Sequence, residues 1–326
     1  MSVAQPSAAG EASHPRLDAL VEQARARAAA APPRIGLVYP CDALALDAAA
    51  RIAAEGLGRP VLIGPRDAIA KAADGCGVDV GRFELVPTGP TASEAAQQAC
   101  ALARGGVVHV LMKGSLHTDE LMAAIVNKQS GLRSDSRISH AFLFDLPRYP
   151  KLLALADCVV NIAPSLQAKR SILGNAVALL RRVGIPNPKV GIVAAVESVN
   201  PAIPATLDAK ALVEMAAQGA WPGAIVEGPF GFDNAISAEA ARIKKIDSRV
   251  SGDADLLVMP DLNAGNMLYK SFIYIGGGEC AGLVLGAKVP VVLTSRADSL
   301  RSRVASVGLA ALASSHADGS LQKDGY

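Results

Sequence analysis

The chain has 326 residues, 51% of them apolar, and its 32 basic and 30 acidic side chains leave a formal net charge of +2. That length suits two domains, each with its own core. The mixed charge excludes a basic stripe for nucleic acid or an anionic membrane, and 4% aromatic residues exclude stacking platforms for single strands. Five scattered cysteines without a C-x-x-C pair read as a reduced set. Apolar runs fall short of the roughly 20 residues that a spanning helix needs, and the N-terminus lacks a signal-like apolar segment, so a cytoplasmic protein is expected.

Residues 1–15 read as a disordered tail. An Ala- and Arg-rich helix over 17–31 stops at Pro32-Pro33, and an α/β alternation starts there. Helices over 44–55, 66–73, 93–103 and 118–128 interleave with strands over 35–39, 60–63, 82–86, 107–112 and 140–144. From Pro147 the alternation predicts a helix over 150–156, a strand over 158–162, a helix over 166–183, a strand over 189–194 and a helix over 208–218. Strands over 224–227, 255–259 and 290–293 and helices over 267–275 and 300–314 complete it. The pattern is doubly wound. It divides into a first α/β domain, 16–146 plus a returning 298–326, and a second, 147–297, with a cleft between them.

Polar junctions after apolar strands mark candidate sites. Residues 260–270 read as a loop that begins the helix over 267–275: Asp261, Asn263 and Asn266 are short polar groups, Gly265 allows close backbone approach, and Lys270 adds a cation. The same spacing also suits a capped turn without a ligand. Thr294-Ser295-Arg296-Ala297-Asp298-Ser299 follows the next strand; Arg296 has the planar fork that grips phosphate, Ser295 can donate to an oxyanion, and Ser295 or Asp298 can equally serve as a helix cap. Lys113-Gly114 and the segment Glu227 to Asp233, with Phe230 and Asp233, form two further strand-end loops: a phosphate contact or a solvated turn, an acyl pocket or a buried Phe pair. No phosphate-cradling G-x-x-x-x-G-K-[ST] is present. The five histidines, His140 among them, are isolated, so no metal site is expected.

Taken together, Val226-Glu227-Gly228-Pro229-Phe230-Gly231-Phe232-Asp233, the 260–270 segment, Thr294-Ser295-Arg296 and Ala156-Asp157-Cys158-Val159-Val160-Asn161-Ile162-Ala163-Pro164 resemble the phosphate acetyltransferase and phosphate butyryltransferase family. Val196 to Pro201 and Ser251 to Asp255 look closer to its butyryltransferase-like branch. The resemblance implies a two-domain three-layer α/β/α fold of the isocitrate/isopropylmalate dehydrogenase type with the active site in the interdomain cleft. It implies reversible acyl transfer between coenzyme A and inorganic phosphate in a direct ternary complex, coenzyme A being a substrate, with no tightly bound cofactor or metal, and a homo-oligomer. Ser295 would stabilise the tetrahedral transition state and Arg296 hold phosphate, with Lys113, Gly114, Cys158, Asn263, Asn266, Lys270, Phe230 and Asp233 around the substrates. Cys158 would not be a nucleophile. The aspartate that acetyl-specific members carry seven residues past the serine is Ser302 here, which makes Asp298 and Asp261 the candidate bases. Two rival readings are a dehydrogenase of the same fold and a non-catalytic acyl-CoA or acyl-phosphate binding protein.

Overall fold

The computed structural model describes residues 13–293 and 298–314. In chain order the elements are α1 (Pro15–Ala30), β1 (Arg34–Val38), α2 (Ala43–Ala54), β2 (Arg59–Gly64), α3 (Arg66–Cys76), β3 (Glu84–Pro87), α4 (Ala92–Arg104), β4 (Val110–Lys113), α5 (Thr118–Val126), β5 (Ser139–Asp145), β6 (Leu153–Ala156), α6 (Leu166–Arg182), β7 (Lys189–Val193), α7 (Pro204–Ala217), β8 (Ile225–Phe230), α8 (Phe232–Ile236), α9 (Ala238–Ile243), β9 (Leu256–Val258), α10 (Leu262–Tyr274), β10 (Glu279–Leu285), β11 (Val291–Val292) and α11 (Leu300–Ala313). The strands join one sheet in the order β3-β2-β1-β4-β11-β10-β5-β6-β9-β7-β8. The first five strands of that order are mutually parallel, and so are the last four. The antiparallel pairs β10–β11, β10–β5 and β5–β6 reverse direction between them. β5 and β10, far apart in sequence, are the longest pairing, with seven residues in register from Glu279–Asp145 to Leu285–Ser139.

Local chemistry explains the helix starts. Thr91 and Glu94 form a reciprocal capping box on α4, and Asp42, Ser165 and Ser299 cap α2, α6 and α11. α1 has no side-chain cap of its own. The buried Asp145 at the end of β5 supplies one, accepting from the amides of Arg16 (2.8 Å) and Leu17 (3.2 Å) while pairing with the Arg16 guanidinium. A carboxylate there also meets the positive end of the helix dipole, so the first helix is fastened to the sheet centre.

The two faces of the sheet are covered differently. On one, a single cluster runs the length of the sheet, with α1, α2, α6, α7 and α11 packed over Leu37, Met112, Ala141, Leu143, Ala281, Leu283, Val190 and Leu256. On the other the core splits. One cluster packs α4 and α5 onto Val38, Leu111, Val284 and Val291; the other packs α8 and α10 onto Phe144, Leu155, Leu257 and Cys280. Strand alternation makes the division legible: β10 sends Cys280 into one cluster and Val284 into the other, and Gly282 between them on the same face has no side chain. A Cβ at Gly282 would lie 2.8 Å from the Phe142 ring and 3.0 Å from His140. The seam, or groove, between the two clusters therefore runs over β5, β10 and β11, with Phe142 and His140 packed onto Gly282.

Three readings of the sequence are corrected. Residues 150–156 are not a helix, because 153–156 form β6 between β5 and β9; the run Leu-Leu-Ala-Leu-Ala fits a short buried strand as well as a helix. With that slot filled, residues 158–162 are not a strand. Residues 260–270 are not a loop: α10 begins at Leu262, five residues earlier than expected.

Candidate active site

The side chains that meet at this groove come from β5, the turn after β6, α10 and the start of α11. Asp157, at the turn, is 3% exposed and organises it. Its Oδ1 accepts from the amides of Val159 (2.8 Å) and Val160 (3.0 Å); its Oδ2 accepts from the His140 amide (3.1 Å) and from Asn161 Nδ2 (2.7 Å). These bonds replace a strand ladder, which is why the apolar run from Cys158 to Ile162 does not extend. Asn161 also donates to the Ile138 carbonyl and accepts from Arg137 Nε at 2.6 Å.

α10 lies directly on this turn. Asp261 is its N-cap, Oδ1 accepting from the Ala264 amide at 3.0 Å. Gly265 is needed for the approach: a Cβ there would lie 2.7 Å from the Asp157 carbonyl oxygen and 3.1 Å from the Cys158 sulfur. Asn266 donates to the Cys158 carbonyl at 3.3 Å. Asn263 and Lys270 share the same side of the helix and are exposed, with the Lys270 ammonium 5.9 Å from the Tyr269 ring centre.

Tyr269 forms the wall. Its ring stacks on Phe142 with centroids 4.8 Å apart, and Phe142 in turn lies 4.4 Å from His140. Burial raises the Tyr269 phenol, and Asp298, Cys158 and Cys280 raise it further. Burial, reinforced by Asp157, holds the Cys158 thiol well above its ordinary value, so it stays protonated and is a poor nucleophile. His140 is pushed down to about 4 by burial, against the opposing pull of Asp157, and is neutral near pH 7. At the head of α11 the Ser302 hydroxyl donates to the Cys280 carbonyl at 2.5 Å, and Ser299 caps the helix while bonding Glu279.

Cys158 and Asn266 are thus brought together. Lys113 ends β4 and Gly114 follows it, on the other side of the groove; the Lys113 ammonium donates to the carbonyls of Gly114 and Leu116, and the Gly114 amide donates to the Val38 carbonyl. Phe230 is 4% exposed at the end of β8, in the core with Phe144 and Leu257, and Asp233 pairs with Lys244 at 3.2 Å. Ser295 and Arg296 lie outside the described residues. The residue types gave no sign of Tyr269 and Phe142, and His140 read as isolated, because β5 and α10 are more than 110 residues apart and no local pattern announces their stacking. Among the described residues, no group of three or more His, Cys, Asp or Glu side chains could hold a metal ion, and no helix is long and apolar enough to cross a membrane.

A family model described as phosphate acetyl/butaryl transferase matches residues 89–311. A phosphate acetyltransferase of Rhizobium meliloti is 47% identical over 298 residues, 91% of this chain and 93% of that protein. A probable phosphate butyryltransferase of Bacillus subtilis is 46% identical over 224 residues, 69% of this chain and 75% of that protein. The crystal structure of a branched-chain phosphotransacylase from Enterococcus faecalis superposes with a TM-score of 0.76 at 28% identity, covering 86% of this chain and 98% of its own. Relatives with acetyl and butyryl names stand at nearly equal identity, so identity alone does not assign the acyl group.

Proposed function

The chain belongs to the phosphate acetyl/butaryl transferase family, and from that premise we infer that its reaction, reversible transfer of a short acyl group between coenzyme A and inorganic phosphate, takes place in the groove over β5, β10 and β11. The observation that carries this placement is the seating of α10 on the turn after β6, where Asn266 bonds the Cys158 carbonyl and Gly265 allows the close approach. A phosphate oxygen attacks the thioester carbonyl, the tetrahedral oxyanion collapses, and the coenzyme A thiolate leaves; in reverse, the thiolate attacks the acyl phosphate. The Ser295 hydroxyl donates to the oxyanion and the Arg296 fork holds the phosphate. Lys113, Asn263 and Lys270 add polar and cationic groups at the rim. Coenzyme A is a substrate here and no resident cofactor is needed. The Cys158 thiol, kept protonated by burial, does not compete as a nucleophile, which agrees with direct transfer.

Of the two candidate bases we favour Asp298, which neighbours Tyr269, over Asp261, whose carboxylate is occupied as the cap of α10. A thiol of ordinary pKa about 8.5 needs only modest help from a carboxylate. The protein works as a homo-oligomer in the cytoplasm; the exposed Met267 and Tyr274 on α10 and Ile275 just past its end (65%, 75% and 86%) support an apolar contact between copies.

The test is thiol release from acetyl-, propionyl- and butyryl-CoA with and without phosphate. Release that needs phosphate, survives a chelator, falls at least tenfold in kcat in Asp298→Asn and persists in Asp261→Asn supports the reading. Phosphate-independent release, or loss in Asp261→Asn alone, overturns it.

A further inference from the structure

α11, which follows Asp298 in the chain, is set against β10 by a row of hydroxyls. Ser299, Ser302 and Ser306 recur at helical spacing and meet Glu279, Cys280 and Gly282 in order along the strand. The Ser299 hydroxyl donates to the Glu279 carboxylate, the Ser302 hydroxyl donates to the Cys280 carbonyl at 2.5 Å, and the Ser306 oxygen accepts from the Gly282 amide at 3.0 Å. β11 ends at Val292, one residue past the Val284–Val291 pair, so its short ladder stops before Gly282 and Cys280, whose amide and carbonyl the serines serve.

The middle and the head of this helix are held differently. At Gly308 α11 lies close against α1, and a Cβ there would stand 3.4 Å from the Ala24 side chain. At the head a cavity of about 620 Å³ opens between the two helices, with Leu300, Arg301 and Val304 on one side and Asp18, Val21 and Arg25 on the other. Apolar packing therefore fixes the middle of α11 and leaves its first turn to polar ties. The Arg301–Asp18 pair, 3.4 Å apart with side chains 40% and 56% exposed, is of the kind that water and salt weaken. Glu279 gives a firmer tie, because it begins β10 opposite Asp145 in the seven-residue pairing with β5. To cap α11, Ser299 needs only to accept from the Ser302 amide, at 2.9 Å. Its bond to Glu279 is additional, and it joins the cap to the centre of the sheet.

We propose that Glu279 is a positioning residue for the acyl transfer: by holding Ser299 it fixes the head of α11, and with it the adjoining Asp298, relative to the groove. This rests on the reading of Asp298 as the base. Glu279 itself touches no substrate and moves no proton. Misplacing a reacting group by about 1 Å can lower a rate about a hundredfold, so a loosened first turn lowers kcat even while the helix stays folded. What Ser299 requires of its partner is an acceptor, and the side-chain amide of glutamine provides one without the charge.

The experiment measures kcat, both KM values, melting temperature and the hydrogen exchange of the Ser302 and Arg303 amides, which bond Ser299, in the intact protein and its variants. Glu279→Ala is expected to lower kcat about fivefold or more and to speed that exchange about as much, with the KM for acyl-CoA changed less than about twofold. Glu279→Gln should bring both back to within about twofold of the parent. Ser306→Ala, which removes the Gly282 tie and leaves Glu279 and Ser299 in place, should lower the melting temperature and keep kcat within about twofold, so that lost stability alone does not account for lost rate. If Glu279→Ala does not fold, Ser299→Asp breaks the same bond from the other side: it keeps a cap, loses the donor to Glu279, and should reproduce both the fall in kcat and the faster exchange. Unchanged exchange or unchanged kcat in a folded Glu279→Ala or Ser299→Asp protein, no recovery in Glu279→Gln, or an equal fall in kcat in Ser306→Ala overturns the proposal. An Asp298→Asn enzyme with undiminished kcat removes the base assignment by itself, and the Glu279 variants then still decide, by exchange and kcat, whether the head of α11 is positioned for the reaction.

Discussion

Gly265 and Cys158 touch across two elements more than 100 residues apart, and nothing larger than a hydrogen fits on the Gly265 Cα. A Cβ there would lie 3.1 Å from the Cys158 sulfur and 2.7 Å from the carbonyl oxygen of Asp157. Alanine ordinarily stabilises a helix relative to glycine by up to about 1 kcal/mol. At this position the clash with backbone dominates, and Gly265→Ala is expected to cost about 1–3 kcal/mol net and to lift α10 off the turn. Gly75 in α3, where a Cβ would meet nothing within 4 Å, is the control, and Gly75→Ala should raise the melting temperature. Adding Cys158→Ala to Gly265→Ala should restore little, since the closer obstacle is the main chain. Thermal melts of the three variants check this, and a Gly265→Ala protein as stable as the parent would remove the close approach from the account.

His140 makes stability depend on acid. Its folded value, about 4, lies below the ordinary 6.5, and the cause is burial, partly opposed by Asp157. The unfolded chain therefore binds a proton between those values that the folded chain refuses, so stability rises with pH there: the contribution is complete above about 6.5 and is lost as pH falls toward 4. Denaturant unfolding at pH 7, 5.5 and 4.5 should show a falling midpoint that is flatter in His140→Gln. Equal slopes in the two proteins would mean that other groups carry the acid sensitivity.

Much of the architecture was legible because the helix and strand periods agree with local caps. Strands β1, β2 and β7 stand within about two residues of their expected places, as apolar runs of Val, Ile and Leu bounded by Pro, Gly or charge should. The errors fall where a side chain took over the role of backbone pairing. Asp157 binds two amides that a strand would have offered to a neighbour, and Asp261 caps a helix inside a segment whose Asn and Gly content reads as loop. β10 escaped notice because Gly-Gly-Gly precedes it and Gly282 interrupts it, yet that glycine is what lets Phe142 and His140 pack onto the strand. Cys158 and Asn266 were candidate site residues from motif and resemblance; their meeting depends on long-range packing of α10 that no window of sequence contains.

Ser302 occupies the position for which the family resemblance implies an aspartate in acetyl-specific members, and its surroundings argue against restoring one. The hydroxyl donates to the Cys280 carbonyl at 2.5 Å, lies 3.3 Å from Glu279 Oε1 and is 6% exposed. A carboxylate there would face a carbonyl oxygen and a second carboxylate in a nearly dry pocket, with the weakly donating Cys280 thiol, 3.7 Å from the Ser302 hydroxyl, beside it. Ser302→Asp is expected to lower stability by about 2 kcal/mol or more without raising kcat, whereas Ser302→Ala should lose only about 1 kcal/mol. Melting temperature and kcat measured on the same preparations decide it. A Ser302→Asp enzyme that is both stable and faster would show that a base works best from this helix and would displace Asp298.

The last prediction concerns Arg296, placed at the phosphate by resemblance and by the chemistry of its side chain. Lysine keeps the charge but loses the planar, two-pronged donor that matches two phosphate oxygens. In Arg296→Lys the KM for phosphate should therefore rise by about tenfold, the loss of about 1.4 kcal/mol of binding, while the KM for acyl-CoA changes less than twofold. Arg296→Ala should lose more, because removing the charge also leaves the phosphate without its counter-ion. A packing role at the entry to α11 would give a different signature: lower melting temperatures in both variants, with phosphate KM unchanged per folded molecule. Steady-state kinetics against each substrate, combined with melts of the same two proteins, separates the two, and an unchanged phosphate KM in Arg296→Ala would end the assignment.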